Sequence, residues 1–381
     1  MPRNLYSEEH EDFRNSVREF VDRTLKPRAE QMIKDHVIAR DIWLEAGKQG
    51  FFGLAIPEEY GGAGVEDYRF NSVFAEEMGK FTAAAASCFG IHADITAPYI
   101  VHMGTDEQKQ RWLPGVAAGE LILAIGMTEP SGGSDLANLK TTAVKDGDDW
   151  IVNGSKTFIT NGHQCDLAVV AVRTDPSKGA RGISLLVLEK DMPGFTKGQP
   201  LDKVGQVESD TSELFFENVR VPAANLLGQE GMGFIAMMQH LPQERIGNAI
   251  ANVSNAKQIL AETIQYCKDR KAFGQPIGMF QHNKFKIAEM VTKVEVAEAY
   301  VDDCIAAHVE GKLTAVDAAK AKWWAAQMQS EVLDECVQLH GGYGFMNEYR
   351  VARAWRDARV HKIWAGTNEI MKELIGRDLG L

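Results

Sequence analysis

Residues 146–154 read DGDDWIVNG, a short β-like segment from Trp150 to Val152 held between the turn dipeptides Asp146-Gly147 and Asn153-Gly154. Dipeptides of this kind tolerate the positive φ angles of tight turns, so both predict hairpins. Further short apolar runs lie outward from it at Asp166 to Arg173, Gly182 to Leu188 and Leu214 to Phe216, with Pro and Gly turns between them. Short strands at regular spacing predict a small barrel or sandwich between about Glu120 and Gly228.

On both sides of this region the pattern is helical. Ser7 is an expected N-cap, with Glu8 and Glu9 in the first turn, and Phe13, Val17, Phe20, Val21 and Leu25 form one apolar stripe. Helical patterns continue to about Gly119, interrupted by the turn-rich piece Pro57 to Gly64. From about Glu230 long helices return. The clearest, Ala315 to Leu339, carries Met328, Val332, Cys336 and Leu339 on one face and stops at Gly341-Gly342. The expected class is α+β: an N-terminal helical domain over 1–120, a middle β-barrel domain over 121–229 and a C-terminal four-helix bundle over 230–381.

A chain of 381 residues, 45% apolar and 25% charged, buries cores enough for such an arrangement. Its net charge of -12 disfavours nucleic acid and anionic membrane as partners. No apolar stretch approaches the length of a membrane span, and the N-terminus MPRNLYSEEHEDF lacks a signal-peptide apolar region, so a cytoplasmic protein is expected. Cys88, Cys165, Cys267, Cys304 and Cys336 show no CxxC pairing and read as buried thiols. Cys304/His308 and Cys336/His340 have helical i,i+4 spacing, but two ligands at each of two places fall short of a metal site.

Five segments carry chemistry. Met127 to Asp135 (MTEPSGGSD) combines hydroxyls with two glycines, so backbone N–H groups can approach a ring or phosphate closely; a solvated interdomain turn would look the same. Lys156 to Gly162 (KTFITNG) sets an aromatic and a hydroxyl beside a turn, or is a core strand with a polar end. Arg270 to Gly274 (RKAFG), followed by Phe280-Gln281, suits a pyrophosphate, and Gln338 to Gly342 (QLHGG) suits an adenine edge. The plain alternatives are a basic turn and a helix C-cap. The last segment, Trp364 to Ile370 (WAGTNEI), follows the run Arg353 to Arg359, which reads as an ion-paired helix face.

Taken in order, TEPSGGSD, KTFITNG, RKAFGQPI, QLHGGYGF, RDARV and AGTNEI resemble the acyl-CoA dehydrogenase family across nearly the whole chain, and are most similar to its long-chain and isovaleryl-type members. The resemblance implies FAD lying between the β domain and the C-terminal bundle. Ile125, Met127, Thr128, Gly133 and Ser134 would then meet the flavin or its ribityl chain, with Phe158, Ile159 and Thr160 at the ring. Thr367, Asn368 and Glu369 would lie on the pyrophosphate side. Arg270, Phe273, Phe280, Gln281, Gln338, Leu339, Gly341 and Gly342 would reach the cofactor from a neighbouring subunit, which implies a homo-oligomer, commonly a tetramer. Ser134, Leu241, Arg245, Ala365 and Gly366 would meet the acyl-CoA.

The implied reaction is α,β-dehydrogenation to the trans-2-enoyl-CoA, with a carboxylate base, a polarised thioester carbonyl and electrons passed to an electron-transfer flavoprotein. Many relatives carry the base immediately before the Gly-Thr of the last motif, where this chain has Ala365. A second family location is a Glu-Arg pair on a C-terminal-domain helix; here Leu241-Pro242-Gln243-Glu244-Arg245 supplies Glu244. The backbone N–H of Ala365 can still serve the carbonyl. The implied substrate is a medium- or long-chain acyl-CoA of β-oxidation. The alternatives are a branched-chain dehydrogenase, a flavin oxidase of the same fold and a silent acyl-CoA binder.

Overall fold

The computed structural model describes residues 3–381. The N-terminal helices are α1 (Glu8–Phe20), α2 (Ala29–Asp35), α3 (Arg40–Lys48), α4 (Arg69–Phe81), α5 (Ala83–Gly90), α6 (Ala97–Met103) and α7 (Asp106–Ala117). Ser7 caps α1 as its spacing predicts, and the stripe continues through a π-helical turn at Val21–Leu25, with Val17 and Leu25 fully buried. Phe13 lies at the margin, packed edge-on against Phe51 and Phe70. A second π-helical turn, Ile91–Thr96, joins α5 to α6 and recurs below.

The middle of the chain forms β1 (Leu123–Gly126), β2 (Thr142–Asp146), β3 (Asp149–Ile159), β4 (Leu167–Arg173), β5 (Ile183–Glu189), β6 (Phe195–Lys197), β7 (Ser212–Pro222) and β8 (Leu226–Leu227). They make one sheet in the order β6-β7-β3-β2-β4-β5-β8, with β1 parallel to β4. Strand β4 shows why it rolls: Ala168, Val170 and Val172 face an interior shared with β3, β5 and β7, while Leu167, Val169 and Ala171 pack under α6 and α7. A strand covered on both sides carries an unbroken apolar run.

The Asp146-Gly147 hairpin forms between β2 and β3. The Asn153-Gly154 hairpin does not. That dipeptide sits inside the eleven-residue β3, where the register against β7 slips between Val152 and Gly154. Gly154 there has φ +140°, and a Cβ would stand 2.7 Å from the Thr141 Cα. Glycine serves a bulge and a close backbone approach here.

The C-terminal part is α8 (Gly233–Asp269), a short hairpin of β9 (Lys271–Ala272) and β10 (Gln275–Pro276), α9 (Gln281–Val309), α10 (Ala315–His340), α11 (Arg350–Ala358) and α12 (Asn368–Asp378). Helices α8 to α11 share one apolar core, and Gly341, at φ +60°, ends α10 as predicted. Helix α4 lies close on α8 because Gly79 has no side chain: a Cβ would stand 2.8 Å from the Ala251 carbonyl oxygen.

The charge run of α11 is not a simple ion-paired face. Arg353 reaches Glu30 of the N-terminal part at 2.8 Å. Asp357, in contrast, is buried and accepts the Gln206 backbone N–H at 2.5 Å. All five cysteines are buried thiols. Among the described residues no three His, Cys, Asp or Glu side chains gather to hold a metal, and no helix is long and apolar enough to cross a membrane.

Candidate active site

A cavity of about 250 Å³ opens where the three parts of the chain meet. Its α8 wall is set by helical periodicity: Leu241, Glu244, Gly247, Asn248 and Ala251 recur at three- and four-residue intervals on one face. Helices α4 and α5 supply apolar walls through Phe74, Met78, Ala83 and Phe89. The sheet contributes Ile125, Met127, Thr128, Gly133, Phe158, Ile159 and Thr160, and the loop before α12 contributes Trp364, Ala365 and Gly366. Residues expected to serve base, flavin and thioester therefore share one cavity.

Glu244 is 8% exposed, and its Oε1 accepts the Tyr99 hydroxyl at 3.1 Å. Burial pushes its carboxyl up to about 7; the Tyr99 hydrogen bond and the Arg245 charge act against that rise, and the nearby Asp94 adds to it. Arg245, the next residue round the helix, is outside the cavity lining. It lies buried beneath the loop, its Nη2 within 3.9 Å of where a Gly366 Cβ would stand, and its Nε has no partner. The expected substrate contact by Arg245 thus becomes a charge set behind the site.

That loop has an unusual backbone. Ala365 is held at φ +52° and Gly366 at φ +85°; the first is strained for a residue with a Cβ. Lys322 of α10, wholly buried, donates to the Gly366 carbonyl at 2.6 Å and to Asn368 Oδ1 at 3.3 Å. Burial lowers its ammonium to about 7, the Arg245 charge acting in the same direction. The sequence does carry a signal for Lys322: it stands in the stripe Ala318, Lys322, Ala325, Gln329, where a charge interrupts an apolar face.

The two sheet loops are tied by one buried ion pair. Lys156 Nζ donates to Glu129 Oε1 at 2.7 Å and to the Met127 carbonyl at 3.2 Å, and Glu129 also accepts the Lys140 and Thr141 N–H groups. Burial works to raise the Glu129 carboxyl, but Lys156 and these donors outweigh it and hold it at about 2. Two residues after Lys156, Phe158 has φ +58° and leaves 69% of its surface open at the cavity. A strained backbone that presents an aromatic face, beside a buried Trp364 indole N–H without a partner, suits a planar heteroaromatic ligand such as a flavin.

Other expected contacts lie elsewhere. Ser134 is exposed and off the cavity lining. Thr367 caps α12 by accepting the Ile370 N–H, Asn368 is buried against Lys322, and Glu369 lies exposed in the first turn. Arg270, Phe273, Phe280, Gln338, Leu339, Gly341 and Gly342 line a separate cavity of about 790 Å³, with Gln281 opening α9 beside it. The two linings share no residue. Tyr99 and Lys322 are site residues that motif reading misses, because neither belongs to a motif.

Comparison with known proteins gives one family over nearly the whole chain. Family profiles match in order: the acyl-CoA dehydrogenase N-terminal domain over residues 7–120, the middle domain over 124–219 and the C-terminal domain over 231–380. The chain is 45% identical over 379 residues to the mitochondrial long-chain specific acyl-CoA dehydrogenase of Sus scrofa, covering 99% of this chain and 88% of that protein. It is similar to the crystal structure of an acyl-CoA dehydrogenase from Geobacillus kaustophilus, with a TM-score of 0.98, 48% identity and all of both chains covered. A glutaryl-CoA dehydrogenase from Mycobacterium smegmatis in complex with FADH2 matches at a TM-score of 0.92 and 30% identity, over 98% of this chain and 95% of that one.

Proposed function

From the chain's membership of the acyl-CoA dehydrogenase family, and hence its place among oxidoreductases of that type, we propose that Glu244 is the base of an FAD-dependent α,β-dehydrogenation of an acyl-CoA. One observation carries the assignment: the Glu244 carboxyl is buried in the same cavity as Phe158, Thr160 and Ala365 and is pushed up to about 7. A base titrating near neutrality combines a substantial ionised fraction with strong proton affinity.

Glu244 takes the α-proton of the thioester. The Tyr99 hydroxyl holds Oε1 and steadies the carboxylate before transfer. The Ala365 N–H donates to the thioester carbonyl oxygen, and the buried Arg245 charge favours the electron density that gathers there. Lys322, through the Gly366 carbonyl, fixes the loop that carries that donor. The apolar residues of α4 and α5 receive the acyl chain and exclude water. FAD, when bound, supplies the hydride acceptor for the β-hydrogen. Phe158, Ile159, Thr160, Met127 and Thr128 would hold its ring, and Arg270, Phe273, Gln281 and Gln338 would reach it from a neighbouring subunit of a tetramer.

Three units with boundaries at 1–120, 121–229 and 230–381, an electron-transfer flavoprotein as acceptor, a cytoplasmic setting and medium- or long-chain acyl groups complete the proposal. Glu244→Gln tests it directly. The variant is expected to purify yellow and bind acyl-CoA but to lose anaerobic flavin bleaching by roughly 100-fold or more, the usual range for removing a general base. Bleaching at the wild-type rate overturns the assignment. Oxygen uptake by the wild type in step with substrate would replace the dehydrogenase reading with an oxidase.

A further inference from the structure

The cavity wall along α8 is interrupted by a second carboxylate, Asp94, whose charge adds to the rise of Glu244 but which itself takes no proton from the substrate. Asp94 stands in the π-helical turn after α5 and lines the cavity while retaining accessible surface. Its Oδ2 accepts the Tyr68 hydroxyl at 3.0 Å, and its Oδ1 accepts Asn71 Nδ2 at 3.1 Å and Gln243 Nε2 at 3.0 Å. All three donors are neutral, and among the described residues no cation compensates it. Burial pushes the carboxyl up to about 6 against these donors, which leaves it largely ionised at neutral pH.

Its place along the acyl path follows from α8. A Cβ on Gly247 would stand 2.9 Å from Asp94 Oδ2 and 3.4 Å from the Tyr68 hydroxyl, so glycine leaves room for the cluster. Gly247 is three residues after Glu244, a displacement of about 4.5 Å along the helix. On the proposed reading, with Glu244 at the α-carbon and the acyl chain received by α4 and α5, Asp94 borders that chain a few carbons beyond the bond being oxidised. Asn71 and Ala93 also line a further cavity of about 530 Å³ that contains Tyr68, Gln243 and His308. The polar cluster thus stands between the two cavities.

A plain alkyl chain laid against this cluster strips water from a carboxylate that no cation neutralises, which is costly. A hydroxyl or ammonium hydrogen at the same point donates to a free carboxylate lone pair. Building on the acyl-CoA dehydrogenase reading above, we propose that Asp94, with Asn71 and Tyr68, forms a specificity subsite for acyl groups that carry a hydrogen-bond donor a few carbons beyond the α,β pair.

The test is anaerobic flavin reduction of the holoenzyme by octanoyl-CoA, by ε- and ζ-hydroxyoctanoyl-CoA and by the corresponding amines. The wild type is expected to favour at least one donor-bearing isomer over octanoyl-CoA, in rate divided by dissociation constant, by on the order of 10-fold or more. Asp94→Ala should abolish that preference, read as the ratio between donor-bearing and plain substrates within the variant, so that any change the lost charge makes to Glu244 cancels. Asp94→Asn, nearly isosteric, should keep hydroxyl preference and lose amine preference, and retained yellow colour and melting temperature show that both variants fold. A wild type that favours octanoyl-CoA over every isomer, or a ratio unchanged in Asp94→Ala, overturns the subsite. A wild type that dithionite bleaches but no acyl-CoA does overturns the enzymatic reading itself.

Discussion

Glu244 holds its proton up to about pH 7 because burial outweighs the help of Tyr99 and Arg245. As a base it acts only when ionised, so flavin reduction at limiting substrate should rise with pH through about 7, followed by stopped-flow bleaching. Tyr99→Phe keeps the ring stacked on His240 but removes the hydrogen bond that favours the carboxylate. The midpoint of that profile should therefore move to higher pH and bleaching at pH 6 should slow; an unmoved midpoint would show that Tyr99 only packs. The same shift bears on stability. The folded carboxyl titrates at about 7 against an ordinary 4.5, so its stabilising protonation is complete below pH 4.5 and is lost as pH rises through 7. Glu244→Gln lacks this loss, and its advantage in stability over the wild type should grow between those limits, by up to about 3 kcal/mol.

Elements were legible in the sequence wherever one periodicity governed a long run. The α10 stripe and its glycine stop fall where the pattern places them, because a helix buries one face whatever it packs against. Asn153-Gly154 was misread because dipeptide preference reports local turn chemistry, whereas Thr141 and the slipped β7 register decide that glycine's use. The proposed base rests on the resemblance, which offers Glu244 where Ala365 lacks a carboxylate, and the structure puts both residues in one cavity. Asp94 was not legible, since nothing in Ile91–Thr96 announces that the turn is π-helical or that it faces α8. Gly154→Ala should cost about 2 kcal/mol or more in denaturant unfolding, because its φ of +140° is strained for any side chain and the Cβ meets backbone. Gly147→Ala, with nothing within 4 Å of its Cβ, should cost about 1 kcal/mol. Lys322→Met should retain colour yet lower turnover about 10-fold, since loosening the Gly366 carbonyl misplaces the Ala365 N–H.

Across the whole molecule, one face is left open in a way a lone chain does not need. Phe273, in the cavity that holds Arg270 and Gln338, is 95% exposed, and Phe345 and Phe285, next in sequence to its lining residues Met346 and Lys286, are 79% and 59% exposed. Exposed aromatics grouped beside a cleft mark an interaction surface. Phe273→Asp should shift the purified protein toward smaller assemblies in sedimentation and lower its bound flavin together; loss of neither would remove that face from the proposed subunit contact. Phe158 poses the opposite problem, an aromatic face presented on strained backbone in the cavity where we propose that FAD binds and covers it. Until that ligand arrives, the newly made polypeptide carries a greasy window that a chaperone or a second unfinished copy can seize. A host producing chain faster than it makes riboflavin derivatives should deposit the excess as inclusion bodies, and vitamin supplementation of the growth medium should raise the soluble yield without any change to the gene.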